Sequence, residues 1–353
     1  MEGWLGLADG PGAEGLPPGW LRAVLRFTRP EGSPVFGPRG RSTSRLKAIG
    51  ACASRLGDPA MASVIGRWLT TPGLDPSAAP PLPSDARPDR PLAILRPDWT
   101  PSGDLLAVDH RDPGPTTRIE VAGRGRNWIG PAWTSPAIEG RIGRARPTHW
   151  ATGAFVDCAE WTYRAGAGRV TRVVVLLRGR GLALLGQQDE GLGTTSEVRL
   201  TLPDGIEATS AEGSRSMVLS SGKGRPTARL IPLGLLPTGA RADGGSIAVE
   251  GREVVVRQTG EGRRRWVPIL ISWSRAPTLW RPLTVGSRSR PCRPDVAAAV
   301  RLGWGRGDEG LVVYRSLAPP ALRSFLGHQT TARFLVGSFT RSGDVRPILK
   351  VDA

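Results

Sequence analysis

The chain holds 353 residues with a formal net charge of +17, long enough to bury a sizeable core and, on length alone, to form two domains. Its 47 glycines and 33 prolines punctuate apolar runs instead of gathering in one tract, which excludes a disordered chain. Only Lys47, Lys223 and Lys350 are lysines, so the charge is arginine dispersed along the chain; a coding bias toward Arg, Ala, Gly and Pro accounts for it, and nucleic acid is not the expected partner.

Residues 1–18 are rich in Gly and Pro. Residues 20–29 (WLRAVLRFTR) alternate as a strand would, a turn at 30–33 follows, and Val35-Phe36 make a short return. Leu46, Ile49, Ala53 and Leu56 stand at helical spacing over 44–56, and Asp58-Pro59 offers an N-cap and first-turn proline before AMASVIGRWL. These read as a small N-terminal helical hairpin within a module spanning 1–71. Residues 72–91 (PGLDPSAAPPLPSDARPDRP) form a Pro-rich linker expected to sustain neither ladder nor helix.

From 92 to 353 the texture changes to short apolar runs separated by turn residues. The run 160–188 (EWTYRAGAGRVTRVVVLLRGRGLALLGQQ) is the clearest case: strands broken by Gly-Ala-Gly-Arg and Arg-Gly-Arg-Gly. Further strands are expected at 92–95, 105–108, 117–122, 128–133, 198–202, 228–233, 246–249, 253–258, 265–273, 283–285, 296–304, 311–317, 332–339 and 345–351. The fold class is therefore all-β, a large antiparallel β-sandwich of supersandwich type made of two packed sheets.

Cys52, Cys158 and Cys292 lie far apart with no CxxC or Cys/His spacing, so no metal and no cofactor is expected and three buried thiols are. No apolar stretch reaches 18 residues, so no membrane span is expected. No leader pattern is read at the N-terminus as written, so the expected location is the cytoplasm, or the periplasm or outside the cell if the true start lies upstream.

The stretches 92–111 (LAILRPDWTPSGDLLAVDHR), 169–188 (RVTRVVVLLRGRGLALLGQQ) and 311–339 (LVVYRSLAPPALRSFLGHQTTARFLVGSF) follow one another in an order that resembles the C-terminal β-sandwich of heparinase II/III-like proteins, as found in large uncharacterised bacterial proteins. That resemblance implies a polysaccharide-lyase-like sandwich acting on acidic glycans. It also implies paired histidines near an aspartate at the start of the sandwich, and a preceding α/α-toroid carrying a catalytic tyrosine. Here the corresponding place offers Asp109-His110-Arg111 alone, and residues 1–91 cannot accommodate a toroid. The expectation is a sandwich retained without most of the lyase machinery.

A uronate lyase needs a base near neutral pKa, usually His or Tyr, and a positive group for the enolate. The three histidines are His110, His149 and His328, each single in sequence, and the two tyrosines are Tyr163 and Tyr314. Arg315, beside Tyr314 near a strand end, could meet a carboxylate bidentately. For all of these a structural role is the ordinary alternative. The 12 tryptophans stand out beside two tyrosines and six phenylalanines, and Trp128, Trp133, Trp150 and Trp161 crowd one stretch; they stack on sugar rings if exposed and fill a sandwich core if not. The Gly-rich pieces GRGRGLALLG and GSRSMVLSSGKGR open no helix after a strand, which excludes a dinucleotide or phosphate loop.

Three readings follow: a non-catalytic, carbohydrate-associated sandwich that takes acidic polysaccharide through arginines and tryptophans; an active polysaccharide lyase on uronate glycans; and a structural or interaction sandwich without a ligand.

Overall fold

Residues 19–69, 84–86, 92–111, 114–136, 142–222, 225, 227–238, 244–288, 290–305, 310–339 and 343–352 are described by the structure, a computed structural model. The first element is a helix, α1 (Trp20–Arg26), and not the strand expected over 20–29. A strand would bury Ala23 along with Leu21 and Leu25; the structure buries only the two leucines, because a helix turns the residue between them aside. The expected turn is present, with Arg29 N donating to Ser33 O at 2.8 Å and Thr28 bridging Pro34.

Helix α2 (Thr43–Arg55) buries Leu46, Ile49, Cys52 and Ala53, whereas Leu56 falls just past its end and is 52% exposed. Helix α3 (Pro59–Leu69) starts where Asp58-Pro59 indicated: Met61 N donates to Asp58 Oδ1 at 3.1 Å, satisfying one of the free amides of the first turn. The three helices share a core with Trp99 of the following segment, and Trp68 Nε1 donates to Trp99 O at 2.8 Å.

Within the stretch expected to carry no ladder, Asp85–Ala86 pair antiparallel with Leu92–Leu95, and the buried Ser84 Oγ lies 3.0 Å from Asp157 Oδ2. A two-residue ladder needs few free amides, so flanking prolines do not prevent it. Residues 70–83 and 87–91 of that region lie outside the described residues.

Four antiparallel sheets form among the described residues. The nine-stranded outer sheet runs in the order β1 (Asp85–Ala86), β2 (Leu92–Leu95), β3 (Leu105–Asp109), β4 (Thr116–Gly123), β6 (Ala132–Thr134), β11 (Thr195–Thr201), β16 (Glu253–Thr259), β15 (Gly245–Glu250), with β5 (Arg126–Ile129) on β4. The eight-stranded central sheet runs β12 (Glu207–Ser210), β13 (Met217–Ser220), β14 (Thr227–Pro232), β17 (Arg264–Ser272), β10 (Leu182–Glu190), β9 (Gly168–Leu177), β8 (Val156–Ala165), β7 (Arg146–Thr152). A five-stranded sheet orders β18 (Leu279–Leu283), β21 (Ala297–Gly303), β22 (Gly310–Ser316), β25 (Phe334–Phe339) and β26 (Val345–Val351). The smallest holds β20 (Arg290–Pro291), β19 (Gly286–Ser287), β23 (Arg323–Phe325) and β24 (His328–Thr330).

These sheets stack. Ile119, Val121, Val198 and Val254 of the outer sheet meet Val174, Leu176, Leu185 and Ile269 of the central sheet in one core. Val173, Val175, Leu184 and Leu270, on the opposite face of the central sheet, meet Val300, Val313, Phe334 and Val336 of the five-stranded sheet in a second. A third core joins Val312, Tyr314 and Leu335 to Phe325 of the smallest sheet. The sandwich is thus layered beyond the two sheets expected. The central sheet, covered on both faces, explains the unbroken apolar run Val173-Val174-Val175-Leu176-Leu177, since alternation is lost when neither face meets water. Of the thiols, Cys52 and Cys158 are buried and Cys292 only half-buried.

Candidate functional site

The structure brings His110 within 6.3 Å of Tyr163 between ring centroids and sets Tyr314 and His328 both against Phe325, leaving His149 apart. His110 lies between the outer and central sheets with Nδ1 2.8 Å from Thr117 Oγ1 and its ring 4.8 Å from that of Trp161. Burial, then the charge of Arg172, hold its pKa well below the usual histidine range, so it is a neutral core side chain. His149 sits on edge strand β7, half-buried, its pKa lowered by burial although Glu160 opposes the shift. His328 belongs to the smallest sheet beside Phe325, at 5.6 Å between ring centroids.

Tyr314 and Arg315 do not form a common site. Successive strand residues point to opposite faces, so Tyr314 stacks on Phe325 at 5.0 Å while Arg315 crosses to the central sheet. There Glu160 binds Arg315, Arg333 Nη2 lies 2.9 Å from Glu160 Oε1, and Thr148 Oγ1 donates to Glu160 Oε1 at 2.7 Å. Burial would raise the Glu160 pKa, but Arg315, Arg333 and these hydrogen bonds outweigh it and hold the carboxyl below its usual range. Arg315 is therefore spoken for by an internal carboxylate.

The tryptophan cluster is core and not a stacking platform. Trp128, Trp133 and Trp161 are no more than 1% exposed, and Trp150 is partly buried against the same core. The Arg172 guanidinium lies over Trp133 at 4.7 Å and hydrogen-bonds Thr117, Gln187 and the Pro115 carbonyl, a buried cation held by neutral acceptors and aromatic faces. This inter-sheet network gathers His110, Tyr163, Trp133 and Trp161 but is closed to solvent.

An open site lies instead on the outward face of the nine-stranded sheet. Ile119 and Val121 of β4 face inward, so Arg118 and Glu120 face outward, where residues 36–39 cross over them. A cleft of about 850 Å³ opens there, floored by Glu120, Asn127 and Thr201 and walled by residues 36–39 on one side and 203–206 on the other. Four arginines, Arg29, Arg39, Arg126 and Arg252, line it against two carboxylates, Glu120 and Asp204.

Glu120 organises the inner wall. Arg29 grips it with Nε at 2.7 Å from Oε1 and Nη2 at 2.5 Å from Oε2, Phe36 N donates at 3.3 Å, and Arg39 Nη2 stands 3.6 Å away. Arg118 Nη2 donates to Phe36 O at 2.6 Å, fixing the crossing loop. On the outer wall Arg252 reaches Asp204 at 2.6 Å and the Leu202 carbonyl at 2.8 Å, with its side chain still 60% exposed. Asn127 Oδ1 is buried in the floor without a hydrogen-bond partner. Among the described residues no group of three His, Cys, Asp or Glu side chains could hold a metal ion, and no helix is long and apolar enough to cross a membrane.

No family model and no curated protein matches the sequence. Among solved structures the chain is similar to heparan sulfate lyase HepC from Pedobacter heparinus, with a TM-score of 0.60 and 14% identity, covering 84% of this chain and 52% of that one. The fold is polysaccharide-lyase-like. A second structure, a polysaccharide lyase, aligns over 67% of this chain and 46% of its own at 10% identity, but its TM-score of 0.25 carries no argument. The chain spans about half the length of the lyase it resembles.

None of the arginines in the cleft was singled out by sequence, because Arg29 and Arg39, Arg126, and Arg252 come from three distant regions of the chain. The legible signal was in β4: charged Arg118 and Glu120 alternating with apolar Ile119 and Val121 mark an outward face bearing charge. Chemically the cleft offers guanidinium donors and no histidine or tyrosine among its lining residues, an arrangement that holds anionic groups.

Proposed function

We propose that this chain is a carbohydrate-associated β-sandwich that binds acidic polysaccharide in the arginine-lined cleft of its outer sheet without cleaving it. The observation that carries the reading is the cleft itself, where four arginines outnumber two carboxylates in a space of sugar dimensions. The lyase-like fold supports a glycan as ligand, and the resemblance to heparinase II/III-like sandwiches belongs to the same reading. Guanidinium groups suit uronate carboxylates and sulfates because their forked donors match paired oxygens.

The test is heparin and polyuronate binding by wild type and an Arg126→Gln/Arg252→Gln double variant. The variant should bind about tenfold more weakly, with a shallower dependence on salt. Unchanged affinity in the folded variant would move binding away from the cleft. A second reading, an active lyase on uronate glycans, draws on the fold shared with HepC. It predicts a rise in ultraviolet absorbance from an unsaturated product when the protein meets the polymer.

A further inference from the structure

Beside the cleft lies a recess of about 50 Å³ that shares Arg29, Arg39 and Gly125 with it and adds Arg96. Arg96 is 4% exposed and follows β2 in the outer sheet. Its backbone is held by Ser84 at 2.9 Å, and its guanidinium lies 5.0 Å from the Trp99 ring and 5.7 Å from the Trp68 ring. One arm, Nη2, donates to Thr28 O at 3.2 Å; the other, Nη1, is buried with no hydrogen-bond partner. A buried donor left unpaired is costly, and an aromatic cage keeps it from swinging out to water.

The neighbouring charges do not satisfy it. Arg29 is committed to Glu120 and Ser33, and Glu31, the one carboxylate lining the recess, accepts from Ser33 Oγ at 2.9 Å. Burial pulls the Arg96 pKa down to about 10, with Glu120, Asp98 and Glu31 opposing, so the group stays cationic at neutral pH. Arg96 and Arg39, with the committed Arg29, thus line a space large enough for one oxyanion and too small for a sugar ring.

We propose that the recess is a selectivity subsite in which Arg96 and Arg39 bind a single oxyanion substituent, carboxylate or sulfate, of a sugar seated in the adjoining cleft. This rests on the glycan-binding reading above. The cleft supplies general affinity for the polymer, and the recess chooses among its decorations.

The experiment titrates wild type, Arg96→Gln, Arg96→Lys and Arg39→Gln with heparin, carboxyl-reduced heparin and desulfated heparin at constant ionic strength. Wild type should lose about tenfold in affinity for whichever derivative lacks the recognised group, which identifies it as carboxylate or sulfate. Arg96→Gln should bind the three polymers alike, with Arg96→Lys intermediate; Arg39→Gln, at the more exposed rim, tests the subsite if the buried position fails to fold. Wild-type discrimination retained in the folded variants overturns the subsite and leaves the cleft reading intact. If wild type binds none of the polymers, the cleft reading fails, and melting in sulfate or acetate against chloride decides the recess. A rise in midpoint that Arg96→Gln or Arg39→Gln abolishes supports it, and equal midpoints overturn it.

Discussion

The central sheet and the outward face of the outer sheet both carry buried or half-buried arginines, yet they use them in opposite ways. In the central sheet the buried charges of Glu160 and Arg172 are answered internally: Glu160 takes Arg315, Arg333 and Thr148, and Arg172 takes Gln187, Thr117 and a carbonyl. On the outward face Arg252 is 60% exposed opposite an Asp204 that is 94% exposed, and Arg96 keeps a donor unmatched. Burial makes the first set architecture, because an unmatched charge there would be intolerable. Surplus charge at an open wall is what a ligand can use.

The sharpest way to break this contrast is Glu160→Ala, which strands Arg315 at 3% exposure without its carboxylate. Unfolding in denaturant should show a loss of about 3–5 kcal/mol, nearly insensitive to salt. A loss below about 1 kcal/mol would make the seam no different from a surface pair. Trp133→Ala should cost a similar amount, about 3–5 kcal/mol, because the indole is fully buried over Arg172 and its removal opens a cavity. Had this tryptophan been a stacking platform, the variant would instead lose glycan affinity at unchanged stability.

The next effect is read by pH. The folded pKa of His110 is depressed, so it stabilises the fold fully above its unfolded value of about 6.5 and the contribution is lost as pH falls below that value. Glu160, also depressed, keeps its contribution until pH falls below the usual carboxylate range. Melting midpoints should therefore decline in two stages on acidification, and His110→Gln should remove most of the earlier one. A profile unchanged by that substitution would remove His110 from the core network.

The smallest effect belongs to the outward face. Arg199 meets Glu197 at 2.5 Å and Glu253 at 3.3 Å, with about a quarter of its side chain exposed. Arg199→Ala should cost less than about 1 kcal/mol and shrink further in high salt.

Sequence patterns reached most of the layers but little of the site. Runs such as 169–177 and 265–273 are unmistakable because their apolar residues are dense in Val and Ile and bounded by turns rich in Gly, Ser or Pro. The smallest sheet escaped, since Gly286–Ser287, Arg290–Pro291 and His328–Thr330 have no apolar pattern and exist through pairing alone. Residues 20–29 misled because a period of two and a helical face both place Leu21 and Leu25 together. Residues 128–133 form two strands, β5 and β6, separated at Gly130-Pro131. The cleft was hidden for a different reason: Arg29 and Glu120 are remote in sequence, and single-residue reading does not join them.

The covering of the central sheet on both sides limits how the chain can be shortened. A fragment ending at Trp273 would keep the outer and central sheets yet bare Val173, Val175, Leu182, Leu184 and Leu270 to water. So broad an apolar surface self-associates, so the fragment should sediment as oligomers or precipitate while the whole chain does not. The two C-terminal sheets thus act as a solubility shield for the half that carries the cleft.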